Sequence, residues 1–408
     1  VIPGGAPLPS PSAPHPDNVI ENEHLLVEVN TVDGTLTVID KETGVVFRGL
    51  NRLVDGGDAG DEYTYSPPAA DLVVDRPSEA PRLTVLERGP SRSTVRVEMT
   101  YLVPEALSED RQSRSDRLVP LPVSTWVHLY PGVRRIDVRT EIENTARDHR
   151  LRVHFPTPIR TRGAHADGHF AVVSRSVEPP TGNHDWLEHP SGTYPQRRFV
   201  DVSDGQVGLL LANRGLPEYD VVVDERGEAC MALTLLRCVG WLSRDDLQTR
   251  RGGAGPALPT PGAQMLGRFS FEYALAPHPD GWERAMLEAH WFGVPMRATM
   301  RDLHPGSLPS SCSLLAVEPA EVLVSAVKLP AEGAGVIVRL VNVLAQPVEA
   351  RLRPFRPVGR AEICNLNEEP VGAAAVDPDG RLTVGLRSYQ AVTLRLFFET
   401  GPSTSDDR

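Results

Sequence analysis

The sequence predicts an all-β fold in two parts. Short runs of alternating apolar and polar residues recur from Leu25 to Phe398, separated by turns rich in glycine and proline. Only Trp282 to Trp291 carries the apolar spacing of a helix. At 408 residues the chain is long enough to bury more than one core.

Taken in order, residues 1–18 hold six prolines and no apolar period, which reads as an extended linker. Leu25, Val27 and Val29 open the first strand, Asp33-Gly34 turns the chain, and Leu36, Val38 and residues 45–47 continue. Further strands follow at 83–86 and 95–102. The clearest hairpin runs through Trp126, His128 and Tyr130, turns at Pro131-Gly132, and returns through Ile136, Val138, Thr140 and Ile142. On that apolar-looking face His128 reads as a hydrogen-bonded core histidine. Residues 153–155, 172–173, 208–211, 221–223, 231–236 and 269–274 extend the pattern. The helical segment has Asp280 in position to cap it and Gly293 just beyond it.

Pro305 to Ser313 reads as a boundary between a large sandwich at 19–304 and a smaller one at 305–400, with 401–408 as a disordered tail. The smaller part has seven short strand signals, the size of an immunoglobulin-like sandwich.

Composition narrows the function. A net charge of −12 argues against nucleic acid and anionic membrane as partners, since both call for a basic surface. No apolar run reaches the length of a membrane span. The four cysteines form no CxxC pair and are too sparse for a disulfide framework, which points to free thiols in a reducing compartment. The chain opens at Val1 with no signal-peptide pattern and reads as a fragment or processed product.

Chemistry concentrates in Asp55 to Pro68. Three glycines permit close backbone approach, Asp58, Asp61 and Glu62 supply acceptors, and Tyr63 and Tyr65 supply rings with a hydroxyl. Sugars are bound by such a mixture, carboxylates taking hydroxyl protons and a ring covering a C–H face. An acidic surface loop whose aspartates cap their own turns has the same composition. Glycoside hydrolysis with retention needs two carboxyls about 5–5.5 Å apart. Three acids on one loop offer no means of raising one pKa.

Metal-type spacing occurs at His165 and His169, and at His184, Asp185, Glu188 and His189, but the neighbouring glycines and prolines make these loop histidines. His149 and His154 fall on opposite faces of one strand. Trp186 and Trp241 offer rings on which a sugar could stack, with buried packing as the default reading.

Gly60-Asp61-Glu62-Tyr63-Thr64-Tyr65-Ser66-Pro67 resembles the segment that opens the β-rich C-terminal half of bacterial glycoside hydrolase family 38, the α-mannosidases and their mannosylglycerate-hydrolase-like members. Similar segments follow in the same order at Asn144–Pro156, Arg198–Asp204, Asn213–Tyr219, Thr234–Arg237, Pro261–Gln264 and Phe271–Tyr273. The resemblance spans residues 19 to 400.

The resemblance implies a galactose-mutarotase-like β-supersandwich followed by a smaller β-sandwich, in a cytoplasmic bacterial enzyme. It implies no catalytic residue and no metal ligand in this chain. The nucleophile and the zinc that grips the sugar's vicinal hydroxyls would belong to a catalytic domain preceding Val1. That domain and an α-mannoside are the implied partners, with a homo-oligomer left open. The β half would line the substrate pocket with Tyr63 and Arg214, supported by Asp61 and Glu62. A turn arginine paired with Glu218 or Asp220 is the structural alternative for Arg214. A carbohydrate-binding or scaffold module without chemistry is the second reading. A mutarotase-like enzyme, needing a His/Glu pair on the concave face of the large sheet, is the third.

Overall fold

The computed structural model describes residues 16–182, 185–302, 305–306, 309 and 311–399. Most of the proline-rich linker, His184, residues 307, 308 and 310 of the boundary and the 401–408 tail lie outside these residues. By its contacts the chain divides into two compact units, 1–167 with 174–295, and 168–173 with 296–408. No helix among the described residues is long and apolar enough to cross a membrane.

The first unit is built from three sheets. Val19–Glu21, Leu25–Val29, Leu36–Asp40 and Val46–Leu50 form a four-stranded meander. His149–Arg160 is the hub of a five-stranded sheet, with Arg52–Gly57 on one side and Glu228–Cys238 on the other. A nine-stranded sheet has Ile136–Asn144 near its middle, between Leu118–Leu129 and Gly267–Pro279. Strand alternation sends Leu25, Val27 and Val29 from the first sheet, Val153 and Phe155 from the second, and Val127, Val138 and Tyr273 from the third into one apolar core. Where that core must hold a polar group the group is matched. Tyr273 Oη donates to Asn51 Oδ1 at 2.6 Å and lies 2.7 Å from the Thr140 hydroxyl.

The second unit packs two sheets face to face. Leu315–Glu318, Val348–Pro354 and Leu382–Leu386 form three strands. Val322–Lys328, Val336–Asn342, Ala391–Phe398, Val358–Cys364 and Pro370–Ala374 form the other five. Leu340, Ala350, Leu352, Leu382 and Leu394 fill the space between them. The eighth strand, Pro370–Ala374, is an exposed edge of small residues beginning with proline, so it carries no alternation to read.

The helix is shorter than its spacing suggests. A 3₁₀ turn, Trp282–Arg284, precedes the α-helix Met286–Gly293, whose N-cap position is Ala285. Asp280 does not cap it. Its backbone is left-handed at φ 62° and its N–H donates to Gln206 O. The face holding Trp126, His128 and Tyr130 is also not the core face. Val123, Thr125, Val127 and Leu129 point inward, and the aromatic row stays half-buried on the outside. Both halves of that strand are apolar enough to pass for a core, so alternation alone did not choose between them.

Candidate functional site

The loop after Arg52–Gly57 is folded by its own side chains. Asp58 N donates to Asp148 O at 2.9 Å, Ala59 N to Ser66 O at 2.7 Å, and Asp61 N to Thr64 O at 3.1 Å, which closes nested turns. At position 60 an added Cβ would lie 2.1 Å from Thr64 O, so only glycine fits.

Both aspartates point inward. Asp58 Oδ1 accepts from Gly60 N at 2.9 Å, and its Oδ2 accepts from Arg237 Nε at 2.8 Å. Asp61 Oδ1 accepts from Tyr63 N and Thr64 N at 3.0 and 2.9 Å. Its Oδ2 accepts from Arg244 N at 2.8 Å and Arg250 Nη2 at 2.5 Å. Burial pushes the Asp58 carboxyl above the usual carboxylate range, against the pull of Arg237. At Asp61 burial acts in the same sense, but the hydrogen bonds from Arg250, Arg244 N and Thr64 N outweigh it and hold that carboxyl low. Opposed shifts on neighbouring acids can mark an acid–base pair. Here every oxygen is already occupied, so neither group is open to a reacting atom. The turn-capping role is what both aspartates perform, in the interior and not at the surface.

Arginines complete the clamp. Arg250 is buried and also donates to the Thr64 hydroxyl at 2.5 Å and to Arg244 O at 3.0 Å. The Arg150 guanidinium lies 3.4 Å from the centre of the Tyr65 ring, and Arg111 donates to Ala59 O at 2.8 Å. The Thr64 hydroxyl donates to Glu188 at 2.9 Å, and Glu62 N donates to Trp241 O at 3.1 Å. Three segments thus meet: 58–66, 185–189 and 241–256.

Out of this clamp stand Tyr63 and Glu62. Tyr63 is 57% exposed, with its hydroxyl 3.3 Å from where a Cβ on Gly255 would sit. Glu62 is exposed beside it. Trp186 is 43% exposed rather than packed away, while Trp241 is half-buried under the Arg244 guanidinium at 5.2 Å.

Arg214 lies elsewhere, on the nine-stranded sheet. It ion-pairs with Glu272, donates to Phe292 O from Nε at 2.9 Å and from Nη2 at 2.6 Å, and covers the Phe292 ring. Neither Glu218 nor Asp220 is its partner: Glu218 accepts from Thr234 and Asp220 pairs with Arg152. Among the described contacts Arg214 and Tyr63 share no neighbour.

Sequence reasoning missed Arg237, Arg250 and Arg244, whose partners in the loop are 176 to 189 residues away. Arg237 and Arg150 do fall inside the family-like segments, which was the available signal. His149 is likewise part of the frame. Its Nδ1 donates to Asp55 Oδ2 at 2.5 Å and its Nε2 to Asn144 Oδ1 at 3.1 Å, and Asp55 also holds Arg114. The Asn144 oxygen is identified by Ala146 N, which donates to it. With an acceptor at both nitrogens the ring is an imidazolium. Burial opposes that charge, yet Asp55 pushes the pKa up to about 10.

Zinc is the metal the family resemblance implies. Among the described residues no three His, Cys, Asp or Glu side chains converge as a metal site requires, so this chain's described residues do not fit that ion. His165 sits in the strand Gly163–Asp167 near the Trp282 ring.

Comparison with known proteins gives the following. Residues 20–247 match the model of the glycosyl hydrolases family 38 C-terminal domain, and residues 321–394 match that of the family 38 C-terminal beta sandwich domain. A protein named "Putative mannosylglycerate hydrolase" from Halalkalibacterium halodurans is 28% identical over 397 residues, 93% of this chain and 41% of that protein. Alpha-mannosidase 2C1 of Mus musculus is 26% identical over 292 residues, 69% of this chain and 25% of its own. The crystal structure of an alpha-mannosidase from Enterococcus faecalis V583 superposes with a TM-score of 0.79 at 29% identity, over 97% of this chain and 43% of that one. The chain therefore spans less than half the length of these relatives.

Proposed function

The chain belongs to glycosyl hydrolase family 38, as its C-terminal β-rich region, and on that premise we propose that it forms one wall of the substrate pocket of an α-mannoside-cleaving enzyme. The reactive carboxylates and the zinc, which grips vicinal sugar hydroxyls, would come from polypeptide N-terminal to this region. The relatives' greater length supports this. The observation that carries the reading is the contrast within one loop: its aspartates are consumed by the half-buried Arg237 and the buried Arg250, while Tyr63 alone among its rings projects.

Tyr63 donates its hydroxyl to a sugar oxygen and lays its ring on a C–H face. Glu62 accepts from an outer hydroxyl. Asp61 acts at one remove, accepting from the Tyr63 backbone N–H and so fixing the direction of the ring. The four unpaired cysteines fit a cytoplasmic enzyme.

The test is hydrolysis of an aryl α-mannoside. The isolated chain is expected to be inactive. In the enzyme that includes the N-terminal region, Tyr63→Phe is expected to lower kcat/KM about tenfold, the worth of one hydrogen bond. Turnover by the isolated chain, or an unimpaired Tyr63→Phe enzyme, would remove the proposal.

A further inference from the structure

The outer face of the nine-stranded sheet holds a cleft of about 630 Å³ that the reading above does not use. Its floor is the half-buried row Trp126, His128 and Tyr130, and Arg214 and Phe292 stand at one side. At its centre His128 is held by a relay. Arg92 ion-pairs with Glu87. The Thr94 hydroxyl lies 2.8 Å from Glu87 Oε1 and 2.9 Å from His128 Nδ1.

The relay fixes the proton positions. Arg92 and Thr94 hold the Glu87 carboxyl below its usual range, so it is ionised and only accepts. Thr94 gives its single proton to Glu87, and its oxygen then accepts from His128 Nδ1–H. This leaves the lone pair on Nε2, for which no partner is found among the described hydrogen bonds. Burial, with Arg92 next, keeps the imidazole less basic than usual, hence neutral. An imidazole whose tautomer is set from behind, with its second nitrogen free in a cleft, is a built acceptor.

The rest of the lining selects the ligand class. Arg92, Arg139 and Arg214 are balanced by Glu87, Asp137 and Glu272, so the formal charges cancel. Each arginine already faces a carboxylate: Glu87, Glu141 and Glu272 respectively. An anion would find no unmatched cation. Arg139 lies over the Trp126 ring and Arg214 over that of Phe292, so what remains are spare N–H groups, the Nε2 lone pair and the Tyr130 ring. Arg214 has five N–H donors and the bonds named above use three of them. Donors, acceptors and flat apolar surface together are the complement of a polyhydroxylated ring.

We propose that this cleft is a second saccharide site, in which His128 Nε2 accepts a hydroxyl proton of a neutral monosaccharide and Arg214 donates to a neighbouring oxygen. It does not depend on Tyr63 and stands or falls separately from the pocket-wall reading.

The test is NMR titration of the whole 408-residue chain, labelled with ¹⁵N-histidine, using D-mannose as the probe. The His128 Nε2 resonance is expected to move saturably, and His128→Phe to abolish binding. Thr94→Val, which unlocks the tautomer, should weaken binding about tenfold, with recovery in Thr94→Ser. Should His128→Phe fail to fold, the parent resonance and the two Thr94 variants decide. Saturation that leaves His128 unmoved, equal affinity in Thr94→Val, or a larger response to inorganic phosphate than to mannose would overturn the proposal.

Discussion

The first unit buries Asp55, Asp58, Asp61, Arg114, His149 and Arg250, whereas the second, among its described residues, buries no charged side chain at all. There the buried polar groups are Asn342 and Thr393, set among leucines and valines. Both units are antiparallel sandwiches with well-filled cores, so the difference is not one of architecture. Buried ion pairs are poor sources of stability, because desolvation cancels much of the attraction. What they do supply is fixed direction. In the first unit Asp58, Asp61 and Arg250 lie beneath an irregular loop of glycines and acids that has no ladder to shape it, and a further buried pair, Asp201 with His278, joins two strands of the nine-stranded sheet. Among its described residues the second unit manages with apolar packing. Beneath the 58–66 loop, buried charge holds a polar segment in one conformation.

That contrast can be broken by substitution. Asp61→Ala leaves Arg250 buried without its partner, and the expected cost is about 3–5 kcal/mol, read by urea unfolding. Hydrogen exchange should report loss of protection at 58–66 and 241–256 first. In the second unit the equivalent blow is a cavity: Leu394→Ala, at a fully buried position, is expected to cost about 3 kcal/mol. If Asp61→Ala proved as mild as a surface change, the charges would be ornaments on a core that needs only its hydrocarbon.

A smaller effect sharpens the comparison through pH. The folded-state pKa of His149 is raised to about 10. Its contribution is therefore complete below the ordinary histidine pKa of about 6.5 and is lost as pH climbs through about 10. His154 is the mirror case, driven down to about 3 by burial and by Arg152. Its contribution is present above about 6.5 and declines as pH falls towards 3. Protection factors in Arg52–Gly57 and His149–Arg160 should fall on both flanks of neutrality. Those in Val336–Asn342 should not follow, since its buried residues, Ile337, Val338, Leu340, Val341 and Asn342, carry no titrating group. A parallel decline in that strand would show that His149 and His154 are not the cause.

Much of the fold was legible, because alternation is a direct print of a two-sided sheet. Leu25–Val29, Ile136–Asn144 and Leu382–Leu386 each show it in their burial. Where both faces are apolar, as in Leu118–Leu129, the print is ambiguous, and the aromatic row went to the wrong side. Strands such as Phe199–Ser203, buried on both faces, offer no period at all. The site was readable as a composition, glycines with acids and tyrosines, but not as an arrangement. Which oxygen is spent on which arginine depends on pairings across 179 and 189 residues, and nothing local encodes them. Thr94, Glu87 and His128 form their relay only because two strands register Thr94 against His128.

One consequence follows from Gly60. Because nothing larger than hydrogen is admitted there, the path of the main chain through the loop is decided independently of the two outward side chains that come after it. Residues 62 and 63 can thus be exchanged for others while the mould that presents them is unchanged.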